Sequence, residues 1–255
     1  MRSQIPNSLA IVTAVMCGLP GIASAGGFNL AWGNGCYGEN PVSNLTFGCD
    51  TGTLRDATIV GSFTLDRPIS DFVGIEAVLD VQAESETLPA WWQFFNGGAC
   101  RGTSLSASAD FTSAPGSACT DPWSGRAGGG IAAYQTATTM PSVPSGQPNM
   151  ARLKVAYAVP SDGPIALTGG VEYYGFRLRI DAQRTVGAGA CSGCATPVTI
   201  TLVDIEAAAL SGTVEHETTA LQSPCVTWQG SGASCAADQT HARNASWGRV
   251  KSFYR

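Results

Sequence analysis

Charged side chains are scarce in this sequence. Only 13% of the 255 residues are Asp, Glu, Lys or Arg, and the formal net charge is −5. Nucleic-acid binding draws most of its affinity from Lys and Arg on phosphates, so this acidic chain is not expected to bind nucleic acid. The composition, with 31 glycines, is instead typical of exported β-proteins.

Histidine is rarer still, with only His216 and His241 in the chain. Two histidines leave little material for a Ser-His-Asp triad, and the sequence has no G-x-S-x-G nucleophile elbow. The segment VEHETTA begins like the zinc motif H-E-x-x-H, but Ala220 stands where the second histidine is needed. The Gly-rich segment RAGGGIAAY lacks the Lys-Ser/Thr pair of a phosphate-binding loop. We therefore predict no metal ion and no cofactor, and a solvated turn at Glu215–Glu217.

Long apolar runs are missing too, apart from one near the N-terminus. Residues 9–19 are apolar but too few to span a membrane, and they lie between Arg2 and an A-x-A cleavage site at 23–25. We expect residues 1–25 to be a secretory signal peptide, with no membrane span after it. The expected location is extracellular or at the cell surface, with the periplasm as an alternative.

Cysteine, in contrast, is plentiful. Of nine cysteines, Cys17 leaves with the predicted signal peptide, so eight remain. An even number of cysteines in an oxidising compartment predicts disulfides. We expect neighbours in the sequence to pair and to close four short loops: Cys36 with Cys49, Cys100 with Cys119, Cys191 with Cys194, and Cys225 with Cys235.

The pair Cys191 and Cys194 forms a C-x-x-C motif, which can hold a metal, exchange thiols or close a loop. A thioredoxin-type pair needs a helix N-terminus, but Pro197 and a predicted strand follow here. A zinc site needs a second such pair or two histidines at ligand spacing. We predict a loop disulfide between two strands, with thiol–disulfide exchange as the weaker alternative.

Several segments alternate between apolar and polar residues, which is the pattern of half-buried strands. They are 57–66, 71–82, 152–160, 173–182 and 197–210. In the last segment the apolar face changes from Leu202 to Val203, which predicts a β-bulge. Such strands, joined by Gly, Pro, Ser and Asp turns, predict an all-β fold. We expect a single disulfide-stapled β-sandwich over 26–235, of the jelly-roll or cohesin-like type.

Two segments depart from this pattern. Residues 97–150 are rich in Gly, Ser, Ala, Thr and Pro and are too long for a bare loop. They predict short edge strands within an insertion that a Cys100–Cys119 disulfide pins. Residues 236–255 form a basic aromatic tail, which is predicted to be a short helix packed on the sandwich or a docking tail.

The aromatic run LPAWWQFFNGG at 88–98 is the first candidate site. In a strand, Trp91 and Trp92 would point to opposite faces, so one of them would need a cover that Trp123 and Tyr134 could supply. That is the interpretation as core. The functional alternative is an exposed platform of Trp91, Trp92 and Trp123 that stacks on sugar rings, and these three are the candidate ligand-binding residues.

Acidic residues on the predicted strands are the second candidate. We expect them to face outward and to pair across strands with Arg152, Lys154, Arg177 and Arg179. A catalytic carboxylate pair for glycoside hydrolysis stays open as an alternative, and no catalytic residue is assigned. The acids are Glu76, Asp80, Glu172, Asp204 and Glu206.

The segments LPAWWQF, GACSGC and SWGRVKSFYR resemble parts of a set of uncharacterised secreted bacterial proteins. The segments VGIEAVLDVQAESETLP and GGVEYYGFRLRI are similar to strands of cohesin and carbohydrate-binding-module sandwiches. This resemblance implies a sandwich fold and an extracellular binding role. We therefore expect a secreted, non-catalytic protein for surface attachment, matrix formation or glycan binding, with a polysaccharide or another extracellular surface component as partner. A secreted hydrolase is the alternative.

Overall fold

The computed structural model describes most of the chain between the two ends. The described residues are 25–33, 36, 41–50, 55–95, 99–113, 118–136, 147–230, 232 and 235. Nearly all of the predicted signal peptide, and the whole tail at 236–255, lie outside these residues. Both therefore stay predictions.

Within the described residues the fold is all-β, as predicted. Twelve strands are joined by turns, and two single 3-10 turns occur at Ala90–Trp92 and Phe111–Ser113. The strands are β1 (Gly27–Trp32), β2 (Asn44–Leu45), β3 (Ala57–Thr64), β4 (Ile69–Ala83), β5 (Leu105–Ser108), β6 (Gly128–Thr136), β7 (Met150–Ala158), β8 (Ile165–Leu167), β9 (Glu172–Ile180), β10 (Val198–Ala209), β11 (Val214–Glu217) and β12 (Cys225–Trp228).

The strands form two sheets. The smaller sheet has the order β1-β3-β9-β5, and the larger has the order β2-β12-β10-β4-β7-β6. In the larger sheet β11 pairs with the second half of β10, and β8 pairs with the start of β4. The inner faces of both sheets share one apolar core, which gives a β-sandwich-like arrangement. No described helix is long and apolar enough to cross a membrane.

The predicted alternation of strand faces is confirmed in β4. Ile75, Leu79 and Val81 are buried, whereas Glu76 and Asp80 are only half-buried. Burying each large apolar side chain contributes about 1.5–3 kcal/mol, so this face fixes the strand against the core. A shift of one residue in the pairing would turn that face to solvent, and the alternation therefore also sets the register.

The predicted bulge in β10 is also confirmed. The pairing of β10 with β4 shifts between Leu202 and Asp204. The expectation that Val203 joins the inner face is wrong, because Val203 is the extra residue and lies 37% exposed. The buried face resumes at Ile205, so that β10 keeps one inner face across the bulge.

The described parts of 97–150 supply edge strands, as expected. β5 ends the smaller sheet and β6 ends the larger one. The expected Cys100–Cys119 pin is wrong, because Cys100 bonds to Cys191 and Cys119 bonds to Cys36. The segment is therefore tied to two other parts of the chain instead of to itself.

Candidate functional site

The three candidate tryptophans lie in the core. Trp91, Trp92 and Trp123 are all 0% exposed, so they do not form the exposed platform that sugar stacking requires. Trp91 and Trp92 belong to a 3-10 turn and not to a strand, because Pro89 precedes them in an extended conformation. The turn points both rings inward, and the interpretation of this run as core is the one that the structure supports.

A buried arginine completes this aromatic cluster. The guanidinium carbon of Arg101 lies 3.5 Å from the centre of the Trp91 ring, and the Arg101 side chain is fully buried. Its Nη1 donates to the Trp91 carbonyl at 3.0 Å, and Asp181 Oδ1 lies 3.6 Å from its Nη2. Burial lowers the pKa of Arg101 to about 10, while Asp181 raises it. Trp228 also packs against Trp91, with ring centres 4.9 Å apart.

The two cysteines of the C-x-x-C motif bond their loop to two different segments of the chain. Cys191 bonds to Cys100, and Cys194 bonds to Cys49, so the predicted Cys191–Cys194 disulfide is wrong. The predicted Cys36–Cys49 bond is wrong as well, whereas Cys225–Cys235 is confirmed.

The physical reason lies in the aromatic cluster. The Trp228 indole donates to the carbonyl of Cys194 at 2.6 Å, and Arg101 follows Cys100 directly. The loop that carries the motif therefore covers the cluster, and each of its sulfurs bonds to a different neighbouring segment. Because Cys191 and Cys194 are both bonded elsewhere, they do not form the reversible pair that thiol exchange needs.

The outer face of the larger sheet carries cross-strand ion pairs, as expected. Arg152 holds Asp80 through two hydrogen bonds of 2.7 Å each, and Lys154 Nζ lies 2.5 Å from Glu76 Oε1. In the smaller sheet, however, Arg179 pairs with Asp56, which the sequence analysis did not name. The first two pairs join the neighbouring strands β4 and β7, whereas Asp56 directly precedes β3, the neighbour of β9. Such cross-strand contacts stabilise a sheet.

The segment 215–217 is a strand and not a solvated turn. It belongs to β11, whose pairing with β10 places His216 opposite Glu206. The His216 Nδ1 lies 3.3 Å from Asp204 Oδ2, and its Nε2 lies 4.0 Å from Glu206 Oε2. Glu217, the last residue of β11, is buried with only 7% exposed. Among the described residues, no three His, Cys, Asp or Glu side chains are placed to hold a metal ion.

A cavity of about 270 Å³ lies where the two sheets meet at one edge. The end of β5 supplies one wall, β6 and β7 supply the other, and the turn before β6 borders it. Its lining residues are Ala107, Ser108, Ala109, Asp110, Gly125, Ala127, Gly129 and Tyr157. The small side chains of these residues leave the cavity open. At position 129 the backbone of β6 also requires glycine. A Cβ at Gly129 would lie 2.1 Å from the Ala156 carbonyl oxygen.

Polar groups converge on this cavity. Tyr157 is buried, and its hydroxyl has no hydrogen-bond partner within the described part of the chain. Burial raises its pKa to about 12, although the charge of Arg177 opposes that shift. Hydrogen bonds from Thr112 lower the pKa of Asp110, and Arg177 lowers it further. A buried hydroxyl without a protein partner costs free energy unless a water or another group satisfies it, and the Tyr157 hydroxyl belongs to a residue that lines the cavity.

A second depression lies on the outer face of the larger sheet. It holds about 430 Å³ above a floor of small residues that includes Gly74, Ala156 and Ala208, and it shares Gly129 and Tyr157 with the cavity between the sheets. Glu76 and Glu206 stand on it, directly opposite each other in the pairing of β4 with β10. Glu76 is engaged with Lys154, which reduces its availability as a catalytic acid or base.

The sequence analysis missed the cavity between the sheets. Its walls are alanine, serine and glycine, which form no motif, and they come from three distant segments. The signals available were the Gly-rich run RAGGGIAAY and the tyrosine at 157, which alternation places on an inner face. Neither signal reveals that the sheets part at this edge.

No protein-family model matches the chain, and no match was found among curated proteins or among solved structures. The resemblance to secreted bacterial proteins and to cohesin or carbohydrate-binding sandwiches therefore stays a prediction.

Proposed function

We propose that this protein is a secreted, non-catalytic extracellular binding protein that holds a sugar residue of a polysaccharide in the cavity between its sheets. The observation that carries the proposal is the buried Tyr157 hydroxyl, which lacks a partner in a wall that also contains Ser108 and Asp110. Ligand sites typically combine apolar walls with a few convergent polar groups of this kind.

The chemistry of the wall supports a carbohydrate. Asp110 accepts hydrogen bonds, whereas the hydroxyls of Ser108 and Tyr157 both donate and accept them. A sugar presents several hydroxyls that do both, next to C–H groups that suit Ala107 and Ala109. The volume of about 270 Å³ is near the lower end of ligand cavities and fits a single sugar unit better than a long chain segment.

The proposal that the protein binds without catalysis rests on the number of carboxyl groups that line the cavity. Hydrolysis of a glycoside generally needs two carboxyl groups across the bond that breaks. Among the described residues that line the cavity, Asp110 is the one carboxylic acid. The outer pair of Glu76 and Glu206 is the remaining position for a hydrolase, and the experiment below tests it as well.

The disulfides support the proposed compartment. Four of them are present, which is typical of proteins that fold outside the cytoplasm. Together with the predicted signal peptide at 1–25, they favour export to the cell surface or beyond. The finer assignment to a jelly-roll or cohesin-like sandwich belongs to the same proposal.

The direct test fills the cavity. In Ala127→Leu the larger side chain occupies the space between the sheets, and we expect the variant to lose retention on the polysaccharide that wild type binds. The screen uses affinity electrophoresis in gels that contain neutral or anionic polysaccharides. The matched control is Ala208→Leu, which adds the same side chain at a half-buried alanine in the outer depression.

Each outcome decides between sites. Loss of retention in Ala127→Leu alone supports the cavity, provided that its Tm stays within a few degrees of wild type. Loss in Ala208→Leu alone moves the site to the outer depression. Release of reducing sugar from the same polysaccharides, abolished by Glu206→Gln, would replace the binding proposal with the hydrolase.

A further inference from the structure

Glu217 is a buried acid on which no cationic group of the described residues acts. Its side chain ends β11, and the residue is only 7% exposed. The backbone N–H of Asp66 donates to its carboxylate, and the charged groups that act on it are Asp66, Glu215 and Asp204, all acidic. The nearby Arg67 is committed to Glu215, with 2.7 Å between Nη2 and Oε2.

The carboxylate of Glu217 lies against Gly26. A Cβ at Gly26 would lie 2.5 Å from Glu217 Oε2 and 2.6 Å from Oε1, so only glycine fits this position without a shift. Because N and Cβ of one residue lie roughly 2.5 Å apart, the nitrogen of Gly26 is within about 5 Å of Oε2. The end of this segment is held firmly, since Phe28 N donates to the Thr219 carbonyl at 3.1 Å.

Gly26 is also the residue that follows the predicted A-x-A cleavage site. Hydrolysis of the bond between Ala25 and Gly26 by a signal peptidase uses one water, which leaves a carboxylate on Ala25 and an ammonium group on Gly26. Cleavage frees this nitrogen from its predecessor, and rotation about the Cα–C bond of Gly26 brings it toward Glu217.

We propose that the new α-ammonium group of Gly26 forms a buried ion pair with Glu217, so that removal of the signal peptide itself stabilises the folded protein. The inference depends on the predicted cleavage after Ala25 and is independent of the sugar site. A buried carboxylate without a cation is costly, whereas one with a hydrogen-bonded cation is tolerated. In the uncleaved chain the Glu217 carboxylate lacks the ammonium group, so it remains a buried charge that lowers the stability of the folded state.

The two forms should differ in their response to pH. Burial raises the pKa of Glu217 to about 7, and the neighbouring acids add to that shift. Without the ammonium group, the folded state holds the Glu217 proton more tightly than the unfolded state does. Its stability therefore falls as the pH rises from about 4 through 7. With the ammonium group in place, the carboxylate stays ionised and paired, and this loss disappears.

The experiment compares a chain that begins at Gly26 with one that retains Ser24 and Ala25. Both are released from a fusion by a protease that leaves no extra residue, and Tm is measured from pH 5 to 8.5. At pH 7.5 we expect the chain that begins at Gly26 to melt roughly 3 °C or more above the extended chain. Glu217→Gln should lower the Tm of the first chain and raise that of the second.

The matched control is Glu86→Gln, at an exposed acid that is not among the groups acting on Glu217, and it should shift both chains equally. The proposal is overturned if Glu217→Gln shifts the Tm of both chains in the same direction by the same amount. It is also overturned if the exported protein has an intact mass that corresponds to a first residue other than Gly26.

Discussion

At the scale of single residues, the core is organised around Arg101. The sequence gives no sign of this role, because Arg101 sits in a segment that looks like a loop. A buried charge is tolerated when it is hydrogen-bonded, and here the carbonyls of Trp91 and Asp181 accept from Arg101. The Nε of Arg101 has no hydrogen-bond partner among the described residues. The burial of the tryptophans, in contrast, was one of two interpretations that the sequence allowed. The structure decides between these two interpretations, because Arg101 and Trp228 cover the tryptophans.

Arg101→Ala should therefore be among the most destabilising single changes. It removes the contact with the Trp91 ring and leaves the Trp91 carbonyl without its donor, so we expect a loss of about 3 kcal/mol or more in the free energy of unfolding. Arg101→Lys should recover only part of that loss, because an ammonium group cannot stack as a planar guanidinium does. Urea denaturation followed by tryptophan fluorescence measures both.

The exposed Arg55 provides the control for this prediction. Arg55→Ala should change the free energy of unfolding by less than about 0.5 kcal/mol. An equally small effect of Arg101→Ala would contradict the structural role assigned to the buried guanidinium.

At the scale of elements, the sequence predicts strands well and covalent connections poorly. The faces of β4 and the bulge in β10 follow from alternation, which is a local property and can be read from neighbouring residues. Disulfide partners depend on which distant segments meet over the tryptophans, and no local pattern records that meeting. Cys225–Cys235, at a separation of 10, is confirmed, but closeness in the sequence is not a sufficient rule, because Cys191 and Cys194 are closer still and do not pair with each other.

The disulfides should differ in what they contribute. In the chain-entropy account, the Cys100–Cys191 bond, with a separation of 91, contributes about 4.6 kcal/mol to stability. The Cys225–Cys235 bond, with a separation of 10, contributes about 2.8 kcal/mol on the same account. The double variant Cys100→Ser/Cys191→Ser should accordingly lose more stability than Cys225→Ser/Cys235→Ser.

Urea denaturation under non-reducing conditions compares these two double variants directly. Peptide mapping of the unreduced wild type should first recover the four pairs seen in the structure. A larger loss in the Cys225/Cys235 variant would show that the C-terminal loop, and not the cover of the aromatic cluster, is the critical staple.

At the scale of the whole molecule, the described strands of the two sheets share one core, and a cavity lies at the edge where β5 approaches β6. The cavity forms only when the sandwich is assembled. The alanines and glycines that line it come from three separate segments, so no local sequence pattern predicts it. The sequence predicts a secreted binding protein, and the cavity is the place where we propose that it binds its ligand. Trp91, Trp92 and Trp123, which the functional alternative places on an exposed platform, lie in the core, as the other interpretation expects.

The hydroxyl of Tyr157 distinguishes this account from a merely structural cavity. Removing a buried hydroxyl that has no protein partner should leave stability unchanged or slightly increased. The control is Tyr134→Phe, which removes a buried hydroxyl that donates to the Trp92 carbonyl. That variant should lower Tm without changing binding.

The most direct measurement is therefore a calorimetric titration of wild type and Tyr157→Phe with an oligosaccharide of the polysaccharide that the screen identifies. We predict that Kd rises about 5- to 10-fold in Tyr157→Phe, since one hydrogen bond contributes roughly 1 kcal/mol, while Tm does not fall. An unchanged Kd with an unchanged Tm would show that the ligand does not reach Tyr157, and it would contradict the placement of the site between the sheets.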